Sequence, residues 1–227
     1  MEAGGRVESG TETEQRSSGG KQMCYKPVSS GILGINILVS ISNKSMNLTE
    51  LITSRRTVHE FEPDKIPKKS AIKDAIATAC WAPNHHLTEP WHFYLLGKET
   101  VVDICELNKA MLTLSKGIDA AEKKVKRWLD IPGWLVVTCQ KSDDELRYQE
   151  DYAACSCAIQ NLMLILWQQG IGTKWSTGPV IRDDRFYDLV WVNKDMENII
   201  GLIWYGYPVE TTQTARKPLQ QVLSELP

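Results

Sequence analysis

Several things are scarce in this 227-residue chain, and each scarcity excludes something. There is no basic excess: 26 Lys and Arg stand against 28 Asp and Glu, a net charge of −2, whereas nucleic-acid binders usually carry a basic surplus. There is no bilayer-length apolar run. Ile32 to Ile41 is ten residues, well short of the ~20 that a spanning helix needs. The six cysteines, at 24, 80, 105, 139, 155 and 157, form no C-x-x-C pair and do not read as a disulfide framework, which predicts a cytoplasmic home. No dinucleotide-type G-x-G-x-x-G, no P-loop, no G-x-S-x-G and no H-E-x-x-H is present, nor an evident Cys/His nucleophile pair. Phenylalanine is also rare, three against eight tryptophans, and that skew suggests broad surfaces on which something planar could stack. What remains is ordinary: 42% hydrophobic and 24% charged residues exclude a wholly disordered or fibrous chain.

The glycines divide the chain. Seven of the 15 fall in the first 34 residues, and Met1 to Lys26 has no apolar periodicity, so disorder is expected there. Acidic residues precede the short apolar run, which fits neither a signal peptide nor a transit peptide. Met46-Asn47-Leu48-Thr49-Glu50 places a capping Asn three residues before a Glu. Residues 1–45 are therefore expected to be a disordered or dispensable extension, the alternative being an ordered arm that wraps a partner subunit. The working domain is placed at 46–227.

From Met46 onward, helix-like and strand-like stretches alternate. Helices are predicted over Leu48–Arg55, Pro67–Cys80 (with Ile72, Ala75, Ile76 and Ala79 on one face), Val101–Leu114, Ala120–Leu129, Asp144–Gln169 and Asp183–Val190. Strands are predicted over Trp91–Leu96, Trp134–Cys139, Thr173–Ser176 and Ile199–Tyr205. Leu162 to Trp167 is apolar all round, which predicts burial on every side, in a domain centre or a dimer interface. Cys80 and Cys139 read as small core residues, and Trp91 as core packing. The class is α+β, or loosely α/β.

Three segments carry chemistry. Ser54-Arg55-Arg56-Thr57 offers two guanidiniums and a hydroxyl, which suit an anion such as a phosphate, although adjacent arginines can equally be solvated. Ala82-Pro83-Asn84-His85-His86 leads through Glu89-Pro90 to Trp91-His92, and the two prolines make 84–89 a fixed loop. Adjacent His85 and His86 should point in different directions, and no further ligand lies at metal spacing, so contact with a bound ligand, or plain loop packing, is favoured over metal. Gly170 to Gly178 brackets a short strand with glycines. That permits close approach to a flat ligand, with Ser176 and Thr177 as donors, but it also suits a helix C-cap and turn.

Taken in order, four segments resemble the nitroreductase family. They are Ser54-Arg55-Arg56-Thr57-Val58-His59-Glu60-Phe61, Ala82 to Phe93, Gly172-Thr173-Lys174-Trp175-Ser176-Thr177-Gly178, and Ile200 to Pro208. A fifth, Ala215-Arg216-Lys217-Pro218-Leu219, resembles the family's basic tail. The short single-domain subgroup of NAD(P)H nitroreductases looks most similar. The resemblance implies a mostly antiparallel sheet flanked by helices, in an intertwined homodimer with FMN at the interface and NADH or NADPH as electron donor. Hydride would pass through the flavin to a nitroaromatic, quinone or similar small-molecule acceptor, in ping-pong fashion, with no side chain strictly required as an acid or base. It further implies that Arg55, Arg56, Thr57 and Arg216 hold the FMN phosphate and ribityl chain, that Trp175, Ser176 and Thr177 lie against the ring, and that His85 borders it. Trp81, Trp91 and Trp175 would favour flat acceptors. Three positions depart from the family pattern: His59 stands where a basic residue is common, and Leu87 and Glu89 replace amides. Other flavin chemistries on this fold (dehalogenation or flavin breakdown) and a non-catalytic flavin-binding dimer are the alternatives.

Overall fold

The computed structural model describes residues 46–227. The expectations for residues 1–45 lie outside the described residues.

Helix α1, Leu48–Ser54, starts where the sequence says it should: the Asn47 side chain accepts from the Glu50 amide, and the Glu50 carboxylate accepts from the Asn47 amide. This reciprocal cap satisfies two amides that a helix start otherwise leaves bare. Helix α2, Lys69–Ala79, buries Ile72, Ala75 and Ala79. Strand β1, Trp91–Leu95, is followed by α3, Lys98–Lys116, and α4, Ile118–Leu129, which Gly117 separates at φ 83°, a left-handed turn that glycine adopts without strain. Strand β2, Gly133–Gln140, leads to the long helix α5, Glu145–Gln168, capped by Asp144. Strand β3, Gly172–Ser176, helix α6, Asp184–Leu189, and strand β4, Glu197–Gly206, complete the set.

The four strands form one sheet in the order β1-β2-β4-β3, and all three pairings are antiparallel. The only parallel element among the described residues is a single bridge between Thr57 and Thr173, which lays the chain after α1 along the outer edge of β3. Helices α2 and α5 cover one face, around Ile72, Leu135, Val137, Ile159, Leu162 and Ile203. The other face packs under α3, α4 and α6 around Ile104, Val136, Phe186 and Leu202. The α+β class and the antiparallel sheet are as expected.

Four expectations need correction. Leu162, Met163 and Leu166 are buried, but Leu164, Ile165 and Trp167 are only half-buried, because sheet and α2 cover a single side of α5. Cys139 is buried whereas Cys80, at the end of α2, is partly exposed; Trp91, half-buried, does pack against the core as expected. The tryptophans are not chiefly stacking surfaces. Trp128, Trp134 and Trp204 form a buried cluster with ring centroids 5.2–5.5 Å apart, so packing accounts for much of the excess. Finally, His85 and His86 do not diverge: their rings stack at 3.9 Å, because His86 adopts φ 59° and folds the backbone back.

Candidate functional site

Helix α1 ends at Ser54, and the chain turns at Arg55 to run beside β3. Val58 donates its amide to the Thr173 carbonyl at 3.0 Å, which fixes the direction in which Arg55, Arg56 and Thr57 leave the helix. Gly172 is required there, since a Cβ would stand 2.5 Å from a methyl of Val58. The C-terminal segment returns to the same place. Ile52, Thr53, Arg55, Arg56, Thr214 and Arg216 line a recess of about 330 Å³, so residues some 160 positions apart in sequence share one cavity. Arg56 is already engaged: Nε donates to the Thr212 carbonyl (3.0 Å) and Nη1 to the carbonyls of Thr53 (2.7 Å) and Arg55 (2.9 Å), and Nη2 has no hydrogen-bond partner among the described residues. Among the described residues, no carboxylate pairs with Arg55, Arg56 or Arg216. Burial, followed by the charges of Arg216 and Arg56, holds the Arg55 guanidinium below its ordinary pKa. Three like charges gathered without a counter-charge are a standing repulsion that an anion would relieve.

His59 lies four residues beyond Arg55. Its Nδ1 is 3.3 Å from the Lys174 amino group, and burial, then Lys174 and Arg127, depress its pKa. Lys174 thus places a cation beside His59. It sits over the Trp204 ring, 4.9 Å from the centroid, and burial lowers its own pKa, with Lys124 and Arg127 adding to the effect. The sequence reading missed Lys174 because its partner is 115 residues away.

At the far end of β3, the Trp175 indole N–H donates to the Ile200 carbonyl at 3.1 Å, and the ring lies on Gly201, where a Cβ would meet it at 2.2 Å. The ring is therefore held against the sheet, and the strand end is left to present main chain, with Ser176 half-buried and Thr177 exposed. Thr177 also borders a recess with Tyr148, Tyr152 and Asn198; the Asn198 amide donates to the Tyr148 hydroxyl at 2.9 Å.

The remaining predicted residue, His85, sits on a one-turn helix, His85–Leu87, beside the first half of α5. Its Nδ1 is 2.9 Å from Glu150 Oε2. The contacts of α1 fall instead at the other end of α5, where Trp167 donates to the Ser54 hydroxyl at 3.0 Å. Glu150 and Trp167 are 17 residues apart, about 25 Å along a helix. The arginine recess and His85 are consequently not in contact. Trp81 is exposed at 88% and makes no part of either region. Among the described residues, no three His, Cys, Asp or Glu side chains gather as a metal site, and no helix is long and apolar enough to cross a membrane.

The family model of the nitroreductase family matches residues 52–207. A Bacillus subtilis protein named as an NAD(P)H nitroreductase, YfhC, is 32% identical over 79% of this chain and 94% of its own length. The crystal structure of a nitroreductase-like family protein from Bacillus cereus superposes with a TM-score of 0.71 at 27% identity, covering 79% of this chain and 96% of the other. An FMN-bound nitroreductase-type structure from Desulfovibrio desulfuricans gives 0.63 at 18% identity, over 79% and 96%. The family match runs from the last residues of α1 through β4, and the chain belongs to the nitroreductase family.

Proposed function

We propose that this chain is an FMN-dependent NAD(P)H oxidoreductase of the cytoplasm, working as a homodimer, with its functional unit in residues 46–227. The observation that carries this reading is the arginine recess. Arg55, Arg56 and Arg216 converge on one cavity with no acidic partner among the described residues, and a phosphate is the counter-charge that such planar donors bind best. The residues present therefore fit the phosphate end of FMN. Arg55 and Arg216 would grip it directly, Arg56 through Nη2, and the Thr57 hydroxyl beside them. FMN-bound and NAD(P)H-named relatives support the same assignment.

When bound, the flavin supplies the hydride chemistry, taking two electrons from NAD(P)H and giving them to an acceptor. The chain's own part is to bind and orient. Lys174, beside His59, places positive charge along the same edge of β3. The pinned Trp175 ring holds the strand end in place, and the amides of Ser176 and Thr177 would donate to negative charge on a bound ring. His85 borders the ring side. The acceptor class is that of small electron-poor aromatics such as nitro compounds and quinones, reduced in ping-pong fashion.

Dimerisation is supported by apolar surface that no described residue of one chain covers. Leu48 and Ile52 on α1, and Leu219, Val222, Leu223 and Leu226 in the tail, are 49–88% exposed, and α5 leaves Leu164 and Ile165 half-covered. A second copy would bury them. The experiment is direct: the purified full chain should be yellow, or turn yellow on titration with FMN, and bleach on addition of NADH or NADPH under anaerobic conditions. Protein that remains colourless with FMN present overturns the reading.

A further inference from the structure

Thr177 borders a recess of about 360 Å³, inside the roughly 300–1,000 Å³ range of small-ligand sites. It shares no lining residue with the arginine recess. Helix α5 contributes Tyr148 and Tyr152, four residues apart and so on one helix face. The segment after β3 contributes Thr177 and Arg182, α6 contributes Tyr187, and the start of β4 contributes Asn198. Ile181 and Ile199, both buried, add apolar lining.

The α5 wall is fixed in place. Asp151, between the two tyrosines in sequence, is 5% exposed and accepts from the Thr88 hydroxyl at 2.5 Å. That bond ties α5 to the loop before β1, in which His86, Leu87 and Glu89 stand at φ 59°, 50° and 45°. Asn84 closes the loop: its side-chain oxygen accepts from the Glu89 amide at 2.6 Å, and its amide donates to the Thr88 hydroxyl at 2.9 Å. Non-glycine residues persist at such angles only where the surroundings over-determine them.

The recess has donors to spare. The Tyr148 hydroxyl accepts from the Asn198 amide at 2.9 Å, and the Tyr187 hydroxyl accepts from the Ile199 main-chain amide at 3.0 Å. Each phenol still carries its own hydrogen, which has no acceptor among the described residues. Tyr187 is only 7% exposed, so its hydrogen is costly to leave unpaired. Turning the Asn198 amide over would let Tyr148 donate to its oxygen and would leave the amide N–H groups unpaired instead, so a spare donor remains either way. Arg182 adds charge. The carboxylates that follow it in sequence are taken: Asp183 holds Arg185 through two bonds of 2.9 and 2.8 Å, and Asp184 pairs with Lys194. Among the described residues no carboxylate pairs with Arg182, and none lines the recess.

We propose that this recess binds a small aromatic carboxylate. Tyrosine rings and isoleucine side chains suit a flat apolar body. The guanidinium of Arg182 matches the two oxygens of a carboxylate, and the phenol hydrogens supply further donors. One guanidinium among neutral donors balances a single negative charge, whereas the three arginines of the other recess suit a phosphate. Binding here goes beyond the flavin reading and does not depend on it, since every group named belongs to the FMN-free chain.

The test is isothermal titration calorimetry of the full chain, FMN-free and FMN-loaded, with 4-nitrobenzoate and with 4-nitrobenzamide as its uncharged match. Both forms of the protein should bind the acid about tenfold or more tightly than the amide. Arg182→Gln should remove most of that preference. Arg182 is exposed, so this variant should melt as the wild type does. Tyr148→Phe should weaken binding of the acid by about threefold. No binding, equal affinity for acid and amide, or a preference that survives Arg182→Gln overturns the proposal. Binding that FMN abolishes overturns it as well, because the recess then belongs to the flavin. Protein that takes up no FMN overturns the flavin reading alone, and the FMN-free titration still decides this one.

Discussion

The two ends of helix α5 solve opposite problems. At its C-terminal end, the arginine recess is made of ordinary backbone and extraordinary charge: Arg55, Arg56 and Arg216 crowd together, and only carbonyl groups and one threonine hydroxyl accept from them. At its N-terminal half, the loop at His85 is made of extraordinary backbone and ordinary charge, pinned through Glu89 and Thr88 to Asn84 and Asp151. The first region is unfavourable until something binds, whereas the second is complete without a ligand. A site assembled from both pairs a binder whose energy is realised on occupancy with a positioner whose energy is stored in the fold.

Changes at either end should therefore separate binding from stability. The largest effect is expected from Arg55→Ala combined with Arg216→Ala. Each lost charge-assisted contact to phosphate is worth about 1.5–3 kcal/mol, roughly ten- to a hundredfold in FMN affinity per arginine. The unfolding midpoint of the FMN-free protein should hold or rise, because repulsion is removed. Flavin titration and a thermal melt of the same samples check both halves, and unchanged FMN affinity would break the comparison. Asp151→Ala should do the reverse. Leaving the Thr88 hydroxyl without its buried acceptor costs about 1–3 kcal/mol, measured by urea unfolding of FMN-free protein, with FMN affinity largely kept because the arginine recess is untouched.

How far the sequence was legible follows the same division. Periodicity located the six α-helices and four strands of the described residues, with ends that shift by up to three residues, and the capping Asn47 was readable because its partner is three positions away. The arginine recess was half-legible. Arg55 and Arg56 are neighbours, but Arg216 joins them only because the tail folds back, and nothing local announces that. The loop network was not legible, since Thr88 meets Asp151 across 63 residues and His85 meets Glu150 across 65. Burial of Leu162 to Trp167 was overestimated for a related reason: an all-apolar stretch says that it wants cover, not how much of that cover its own chain provides.

The smallest effect serves as a control remote from the arginine recess. Tyr94 donates to Glu197 at 2.9 Å, Thr138 donates to the same carboxylate, and the Tyr94 hydroxyl is pushed up to about 12 by burial first and then by Glu197. A phenol whose folded pKa is raised favours the native state while protonated. Its contribution is thus fully present below pH 10 and is lost as pH rises toward 12. Urea midpoints at pH 9 and pH 11.5 should show a modest alkaline loss that Tyr94→Phe reduces, with no change in flavin content.

The buckle at Arg56 has one more consequence. The same guanidinium that faces the recess holds the Thr212 carbonyl, and Arg216, four residues on, lines the cavity itself. Tail anchorage and anion occupancy are therefore two readings of a single equilibrium, and linkage makes them reciprocal: whatever fills the recess tightens the strap, and whatever pulls the strap away loosens the ligand. The C-terminal stretch, exposed along its length among the described residues, is therefore expected to be held more tightly when the recess is filled.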